Sequence, residues 1–207
     1  MIEFNQVYIK YINDFYSLYN FSCEINSHTL FVGDFYSGTT AIMRTMCGID
    51  KHYSGDIYID EINIKYIKDK NLKIAYLPHI PVVFKNKNIF KNLYFPLKIR
   101  KINKTTAKSL IYGIFEELKK ENLSIFNNLN LEKFLKLKTK KLNLTQQKII
   151  ALIRSILWQP KYILLEDFFK DFNAEYLDTA NYLINKIKTT STLVAAEENV
   201  VEIFKDF

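Results

Sequence analysis

The loop GDFYSGTT, from Gly33 to Thr40, has the glycine spacing of a loop that wraps phosphate groups. In such loops, backbone N–H groups bind the phosphates, a lysine neutralises the β and γ oxygens, and a hydroxyl binds Mg²⁺. Gly33, Ser37 and Gly38 stand at the expected positions, and Thr40 supplies the hydroxyl. The lysine position holds Thr39, so the loop lacks its cation.

Two acidic pairs follow apolar segments farther along the chain. Glu166 and Asp167 come after KYILL, and Glu197 and Glu198 come after STLVAA. The pair Glu166 and Asp167 could hold a metal ion weakly. The alternative is a solvated acidic end of a buried strand, and the sequence leaves both interpretations open.

The elements that must position these groups are visible in the hydrophobic pattern. Strands are predicted at MIEFNQVYIKY, SLYNFSCEI, TLFVG, GDIYIDEINI, KIAYLP, KYILLED and STLVAA. Helices are predicted at TTAIMRTMCGI, at residues 104 to 121, after Leu131, at TQQKIIALIRSILWQ and at EYLDTANYLINKIK. This order indicates one α/β domain over 1–207, with a mainly parallel sheet and an N-terminal antiparallel β subdomain. The core is expected from 1–85 and 142–207, and an inserted helical subdomain from 86–141.

The composition fits a folded domain with an excess of positive charge. Of 207 residues, 48% are hydrophobic, and the formal net charge is +7. Only three of the 29 cationic residues are arginine, whereas surfaces that bind nucleic acid favour arginine, so a nucleic-acid partner is not expected. Glu3 counts against a signal peptide, and no apolar run approaches the roughly 20 residues of a membrane span.

Five further segments stand in the order and spacing of the ATP-binding cassette (ABC) ATPases, which the chain resembles over nearly its whole length. In MIEFNQVYIKY, Tyr11 matches the aromatic residue that stacks on adenine, and SGDIYIDEINI resembles the segment after the first core helix. His79 in KIAYLPH stands at the glutamine-loop position. The stretch from Leu142 to Asn173 matches the signature helix, the Walker B strand and the D-loop without a gap, and Glu197 falls at the switch-histidine position.

The resemblance implies roles for these positions and makes several departures visible. The nucleotide-binding positions would be Tyr11, Gly33, Ser37, Gly38, Thr39, Thr40 and His79, with Thr40 also on Mg²⁺. The signature positions are Asn143, Leu144, Thr145 and Gln146, of which Leu144 and Thr145 replace glycines. The Walker B pair is inverted as Glu166 and Asp167, the switch position is anionic, and the D-loop aspartate is Asn173.

Together these departures favour a catalytically degenerate cassette that serves as a scaffold or regulatory subunit. ATP and Mg²⁺ are the cofactors that the resemblance implies, and the departures count against both. The alternative is a slow ATPase subunit of a transporter. CGI after the loop and the short length resemble the small cassettes of cell division and lipoprotein export.

The resemblance also implies partners and a location. Cassettes of this family pair with a second ABC ATPase chain and bind an integral membrane permease, so a peripheral position on the cytoplasmic face of the membrane is expected. The expected docking residues are Phe90, Leu93, Tyr94 and Phe95, followed by basic residues that could face acidic loops or lipid head groups. The alternative is that these apolar side chains pack the core of the lobe itself.

Overall fold

The computed structural model describes residues 1–10, 16–34, 36–67, 73–121, 129–199 and 204. The strands are β1 (Ile2–Lys10), β2 (Tyr16–Ile25), β3 (Thr29–Val32), β4 (Ser54–Ile59), β5 (Ile62–Asn63), β6 (Ile74–Leu77), β7 (Tyr162–Glu166) and β8 (Thr192–Glu197). The α-helices are α1 (Thr39–Met46), α2 (Ile89–Ile99), α3 (Lys104–Lys120), α4 (Leu131–Lys136), α5 (Leu144–Trp158) and α6 (Leu177–Lys188). The chain divides into two compact units. Unit 1 comprises Met1–Tyr76, Lys161–Asp167 and Thr192–Phe207, and unit 2 comprises Leu77–Pro160 and Phe168–Ser191.

Unit 1 contains an antiparallel sheet with the strand order β2-β1-β4-β5. Strand β1 buries Ile2 and Phe4 on one face, and a register irregularity before Val7 lets Val7 and Ile9 continue that buried set. The segment GDIYIDEINI, predicted as one strand, forms the hairpin β4–β5. Its two-residue turn contains no glycine. Asp60 and Glu61 adopt the positive φ angles that such a turn requires, 51° and 67°.

Unit 1 also contains a parallel sheet with the order β3-β8-β7-β6, which confirms the predicted fold class. Every residue of β7 is buried, as expected of a parallel strand covered on both faces. Helix α1 contributes Ala41, Ile42, Met43 and Met46 to one core cluster with side chains of both sheets. This shared core fixes the loop before α1 at the carboxyl end of β3.

Unit 2 consists mainly of helices, and four of them begin after an asparagine that acts as N-cap. The side chains of Asn88, Asn103, Asn130 and Asn143 each accept a backbone N–H from the first turn of α2, α3, α4 and α5. Helix α2, which the hydrophobic pattern did not single out, packs against α3, α4 and α5. The predicted helical lobe, 86–141, falls within unit 2, and its limits as a subdomain stay a prediction.

No helix in the described part of the chain combines the length and apolar character that crossing a bilayer requires.

Candidate functional site

The loop before α1 keeps the backbone form of a phosphate-binding loop. Gly38 has a φ of +82°, and a Cβ there would lie 2.3 Å from the carbonyl oxygen of Ser17. A Cβ on Gly33 would lie 2.3 Å from the Ser37 hydroxyl oxygen. Both positions therefore require glycine, and the loop leads into α1 at Thr39.

Within this loop, Asp34 binds groups that a phosphate would otherwise use. Its carboxylate accepts the backbone N–H of Tyr36 at 3.1 Å, and its carbonyl oxygen accepts the N–H of Ser37 at 3.0 Å and the Ser37 hydroxyl at 2.7 Å. The Thr39 hydroxyl lies 3.3 Å from that of Ser37. The loop thus hydrogen-bonds partly to itself and carries an anionic side chain at Asp34, while the lysine position holds the uncharged Thr39. The sequence shows Asp34, but not that it occupies two of the loop's amides.

Beside the loop, a cavity of about 530 Å³ opens between α1, the end of β1 and the segment after α1. Thr40 and Arg44 line it from the helix, and Lys10 and Lys51 line it from the other walls. The Arg44 guanidinium forms a two-pronged ion pair with Asp50, at 2.9 and 3.0 Å. Much of the positive charge of Arg44 is therefore compensated within the cavity wall.

The acidic pair lies at the end of β7, as predicted. Glu166 is buried and accepts a hydrogen bond from the Tyr76 hydroxyl on the neighbouring strand β6. Burial and this carboxylate together raise the pKa of Tyr76, so the phenol remains protonated and keeps donating. Asp167 adopts a φ of 42°, and its N–H donates to the Ala196 carbonyl on β8 at 2.8 Å. The sequence analysis gave Tyr76 no role, although this residue stands three positions before His79 and lies within the predicted strand KIAYLP.

Glu197 ends β8 beside the loop. Its carbonyl oxygen accepts the N–H of Gly33 at 3.2 Å, and its side chain is 5% exposed. Glu197, which the resemblance placed at the switch-histidine position, is therefore a buried carboxylate in unit 1, next to the first glycine of the loop.

In unit 2, the signature positions form the start of α5. The Asn143 side chain accepts the N–H of Gln146 at 2.8 Å, and the Gln146 side chain accepts the N–H of Asn143 at 3.1 Å. This reciprocal capping box makes Asn143, and not Thr145, the N-cap of α5. Thr145 is buried instead, and its hydroxyl accepts the N–H of Asn173 at 3.1 Å. Leu144 stands first in the helix, where the family has a glycine.

Unit 2 also contains a buried lysine that the sequence analysis missed. Lys148 is fully buried, and its ammonium donates to the carbonyl oxygens of Phe168 at 2.7 Å and Lys170 at 2.6 Å. Its Nζ lies 3.5 Å from Nδ1 of His79, whose Nε2 lies 3.6 Å from a carboxylate oxygen of Asp171. The available signal was a single lysine within the apolar run after Gln146 and Gln147, at a position on the buried face of α5.

The structure thus groups the predicted residues into two sets. Unit 1 holds Gly33, Ser37, Gly38, Thr39, Thr40 and Glu197 around the loop, with Glu166 and Asp167 at the end of β7. Unit 2 holds His79 and the signature positions. Tyr11, the predicted adenine-stacking residue, lies outside the described residues, and the assigned roles stay predictions.

The predicted docking residues do not share one environment. Phe90, Tyr94 and Phe95 line a groove on α2, whereas Leu93 is fully buried in the core of unit 2. The prediction is corrected for Leu93, because a side chain on the opposite face of α2 cannot contact a partner. Its alternative, packing in the lobe's own core, holds for this residue.

The described residues include no group of three or more His, Cys, Asp or Glu side chains arranged to hold a metal ion. The role of Thr40 as a Mg²⁺ ligand therefore rests on the sequence alone and stays a prediction.

Comparison with known sequences gives one consistent result. Residues 17–169 match the family model described as ABC transporter. The molybdate/tungstate import ATP-binding protein WtpC of Thermococcus kodakarensis is 26% identical over 168 residues, which cover 81% of this chain and 47% of that protein. The glucose import ATP-binding protein GlcV of Saccharolobus solfataricus is 23% identical over 192 residues, covering 89% of this chain and 51% of that protein. The chain therefore spans about half the length of these curated relatives.

Solved structures agree on the fold. The ATP-binding cassette MJ0796, solved as a dimer in a post-hydrolysis state with ADP and Pi, superposes with a TM-score of 0.79 at 18% identity. The match covers 96% of this chain and 88% of that one. A bacterial Atm1-family ABC exporter with ATP bound gives a TM-score of 0.76 at 16% identity, covering 96% of this chain and 34% of that one.

Proposed function

Because the chain belongs to the ABC transporter family, we propose that it is a transporter subunit that supplies the cassette fold and partner binding but does not hydrolyse ATP. The observation that carries this proposal is the loop before α1. It keeps both required glycines, yet it has Thr39 at the lysine position and a carboxylate bonded into the loop at Asp34.

Electrostatics support this proposal. Without a lysine, the attraction of the loop for a phosphate comes mainly from the N-terminus of α1, which contributes roughly 0.3–1 kcal/mol for an exposed anion. The Asp34 carboxylate opposes that attraction and already accepts the Tyr36 amide. The residues present therefore fit a triphosphate with Mg²⁺ poorly, and we assign no catalytic step to this site.

The acidic residues support the same conclusion. Glu166 stands where the family has the Mg²⁺-organising aspartate, and here its carboxylate accepts the Tyr76 hydroxyl. Exchanging Asp and Glu moves each carboxylate by about one C–C bond, roughly 1.5 Å, and an error near 1 Å can cost about 100-fold in rate. Glu197 adds a buried carboxylate where the family has a histidine.

A slow ATPase is the second candidate, and specific observations favour it. Gly33 and Gly38 retain the loop geometry, Thr40 retains a hydroxyl, and two carboxylates lie at the end of β7. The curated relatives are named ATP-binding proteins of molybdate/tungstate and glucose import. If this candidate is correct, Thr39→Lys should tighten Mg-ATP binding, because the loop would regain the cation that it lacks.

For the assembly, we propose that the chain binds an integral membrane permease on the cytoplasmic face and pairs with a second cassette chain. Support comes from the curated relatives, which are named as import ATP-binding proteins, and from the similar cassette that was solved as a dimer. The likeness to small cassettes of cell division and lipoprotein export stays a prediction.

Two measurements on the purified full chain test the proposal. Phosphate release from Mg-ATP at millimolar concentration should not exceed that of buffer, and calorimetry should give a Kd weaker than about 100 μM, or roughly −5.5 kcal/mol. The matched control is the double variant Glu166→Gln with Asp167→Asn, which should behave like the natural chain. ATP hydrolysis that this double variant abolishes would refute the scaffold proposal and establish the slow ATPase.

A further inference from the structure

Exposed lysines are concentrated in one short part of unit 2, from α4 to the residues just before α5. Residues 131–141 contain five lysines, and their one acidic residue is Glu132. A sixth lysine lies beside them, because the N–H of Lys140 donates to the carbonyl oxygen of Lys85 at 3.0 Å. We define the lysine surface as the six exposed residues Lys85, Lys133, Lys136, Lys138, Lys140 and Lys141.

The spacing of buried residues turns these lysines outward. Leu131, Leu135, Thr139 and Leu142 are all buried in unit 2. They recur every three or four residues, which is the spacing that keeps one face of a helical segment against a core. The lysines of this segment occupy the positions in between, because an ammonium without a partner is costly to bury.

Buried contacts hold the segment in place. The Thr139 hydroxyl accepts the side-chain amide of Asn92 at 2.7 Å and donates to the Lys87 carbonyl at 3.1 Å. The N–H of Thr139 donates to the same carbonyl at 3.0 Å. The Phe134 ring packs edge-on against Phe115, with 5.9 Å between the centroids. The backbone that carries the lysines is therefore fixed before a partner binds, so that mainly side-chain freedom is lost on binding.

The charge of the lysine surface is not compensated within the described part of the chain. None of its six lysines forms an ion pair with another described residue. Like charges that lie this close in the chain repel one another and raise the local positive potential. An anionic partner would relieve this repulsion.

The residue types favour an anionic bilayer over nucleic acid or protein as that partner. All six cations are lysine, whose compact ammonium acts mainly through its charge, whereas nucleic-acid surfaces favour the planar fork of arginine and exposed aromatic rings that stack on bases. Energetically dominant residues of protein interfaces are enriched in Trp, Tyr and Arg, and residues 129–142 contain none of these. Leu137 stands between two of the lysines and is 38% exposed, which suits the boundary between lipid head groups and acyl chains.

We infer that the lysine surface binds the head groups of an anionic lipid bilayer, with Leu137 entering the head-group layer. Each lysine near such a bilayer strengthens binding roughly five-fold, so six together give measurable binding although each contact is weak. The contact is made directly with lipid and requires no permease. The inference therefore does not rest on the proposed function.

The test uses the purified full chain and vesicles that contain no protein. Sedimentation with the vesicles should show at least about ten-fold stronger binding when about 30% of the phosphatidylcholine is replaced by anionic phosphatidylglycerol. Raising NaCl from about 50 to about 300 mM should weaken binding to the anionic vesicles at least about five-fold, because the attraction is between exposed charges.

Charge reversal locates the contact. Lys136→Glu with Lys140→Glu should weaken binding to anionic vesicles at least about ten-fold. The control, Lys98→Glu with Lys120→Glu, makes the same change in net charge at exposed residues of unit 2 outside the lysine surface. It should leave the binding within about two-fold of that of the natural chain. Thermal unfolding of each variant checks that it folds.

A change at Leu137 separates a bilayer from a soluble polyanion. Leu137→Ser should weaken binding to anionic vesicles at least about three-fold, because the apolar contact with the head-group layer is lost. Its retention on heparin should equal that of the natural chain, because all six lysines are kept.

Several results would overturn the inference. Equal binding to neutral and anionic vesicles would do so, as would a control pair that loses as much binding as the Lys136 and Lys140 pair. Tighter binding to a single-stranded RNA oligonucleotide or to an acidic peptide than to the vesicles, lost in the same pair, would assign the surface to that partner. The vesicle assay contains no ATP, so a chain that hydrolyses ATP would refute the proposed function without changing the vesicle result.

Discussion

Replacing Lys148 with methionine is expected to lower the free energy of unfolding by about 2 kcal/mol. The ammonium is fully buried in unit 2 and donates to two carbonyl oxygens, those of Phe168 and Lys170, at 2.7 and 2.6 Å. Methionine keeps most of the side-chain volume, so the change mainly removes the charge and its hydrogen bonds.

The expected magnitude is a difference between opposing terms. Two hydrogen bonds from a charged donor contribute roughly 3–6 kcal/mol, and the Phe168 ring, whose centroid lies 5.7 Å from Nζ, adds a smaller attraction. Burying an ammonium costs several kcal/mol, which the variant no longer bears. The carbonyl of buried Phe168 loses its partner, whereas that of exposed Lys170 can bind water. The hydrogen bonds outweigh the desolvation, and the net loss is about 2 kcal/mol.

Thermal unfolding followed by circular dichroism measures this difference. A loss of about 2 kcal/mol should lower the Tm by roughly 4–8 °C in a chain of this length. Hydrogen exchange should show lost protection at residues 168–173, because Lys148 fastens that segment to α5. Lys120→Met, at an exposed position of unit 2, is the control and should change stability by no more than about 0.5 kcal/mol. A Tm for Lys148→Met equal to or above that of the natural chain would show that desolvation dominates.

Two further predictions concern unit 2. Asn143→Ala should lower the free energy of unfolding by about 1 kcal/mol, because α5 loses its N-cap and one half of the capping box. Urea unfolding measures this loss, and an unchanged midpoint would contradict the assigned cap. Burial opposes ionisation of Glu117, but hydrogen bonds from Lys186 and Tyr182 outweigh it and hold the pKa of Glu117 below its ordinary 4.5. Because the folded pKa is the lower one, this stabilisation is present above the ordinary value and is lost as pH falls through the folded value. Glu117→Gln should therefore have a lower Tm than the natural chain at pH 7, and the two values should converge toward about pH 3, whereas a constant difference would refute the ionic origin.

Local sequence patterns determined most of the elements. Residues 162–165 are continuously apolar and form the buried strand β7, and the periodic apolar residues after Thr145 lie on the buried face of α5. These patterns involve residues that are close in the sequence, so they can be recognised without knowledge of the fold. The turn at Asp60 and Glu61 escaped prediction, because no glycine marks it and glutamate is not a usual choice for positive φ. The pairing of β4 with β5 selects it.

The sequence by itself determined the family fold, the phosphate-type loop and the residues missing from it, because spacing and residue type are properties of the chain. Tertiary structure alone decided what the remaining side chains do. It paired Tyr76 with Glu166 and buried Lys148 against the carbonyls of a distant segment. It also sorted the apolar residues of α2 into a buried Leu93 and exposed groove aromatics such as Phe95. Such partners lie on separate elements or on opposite faces of one helix, so only the packed chain specifies which groups meet.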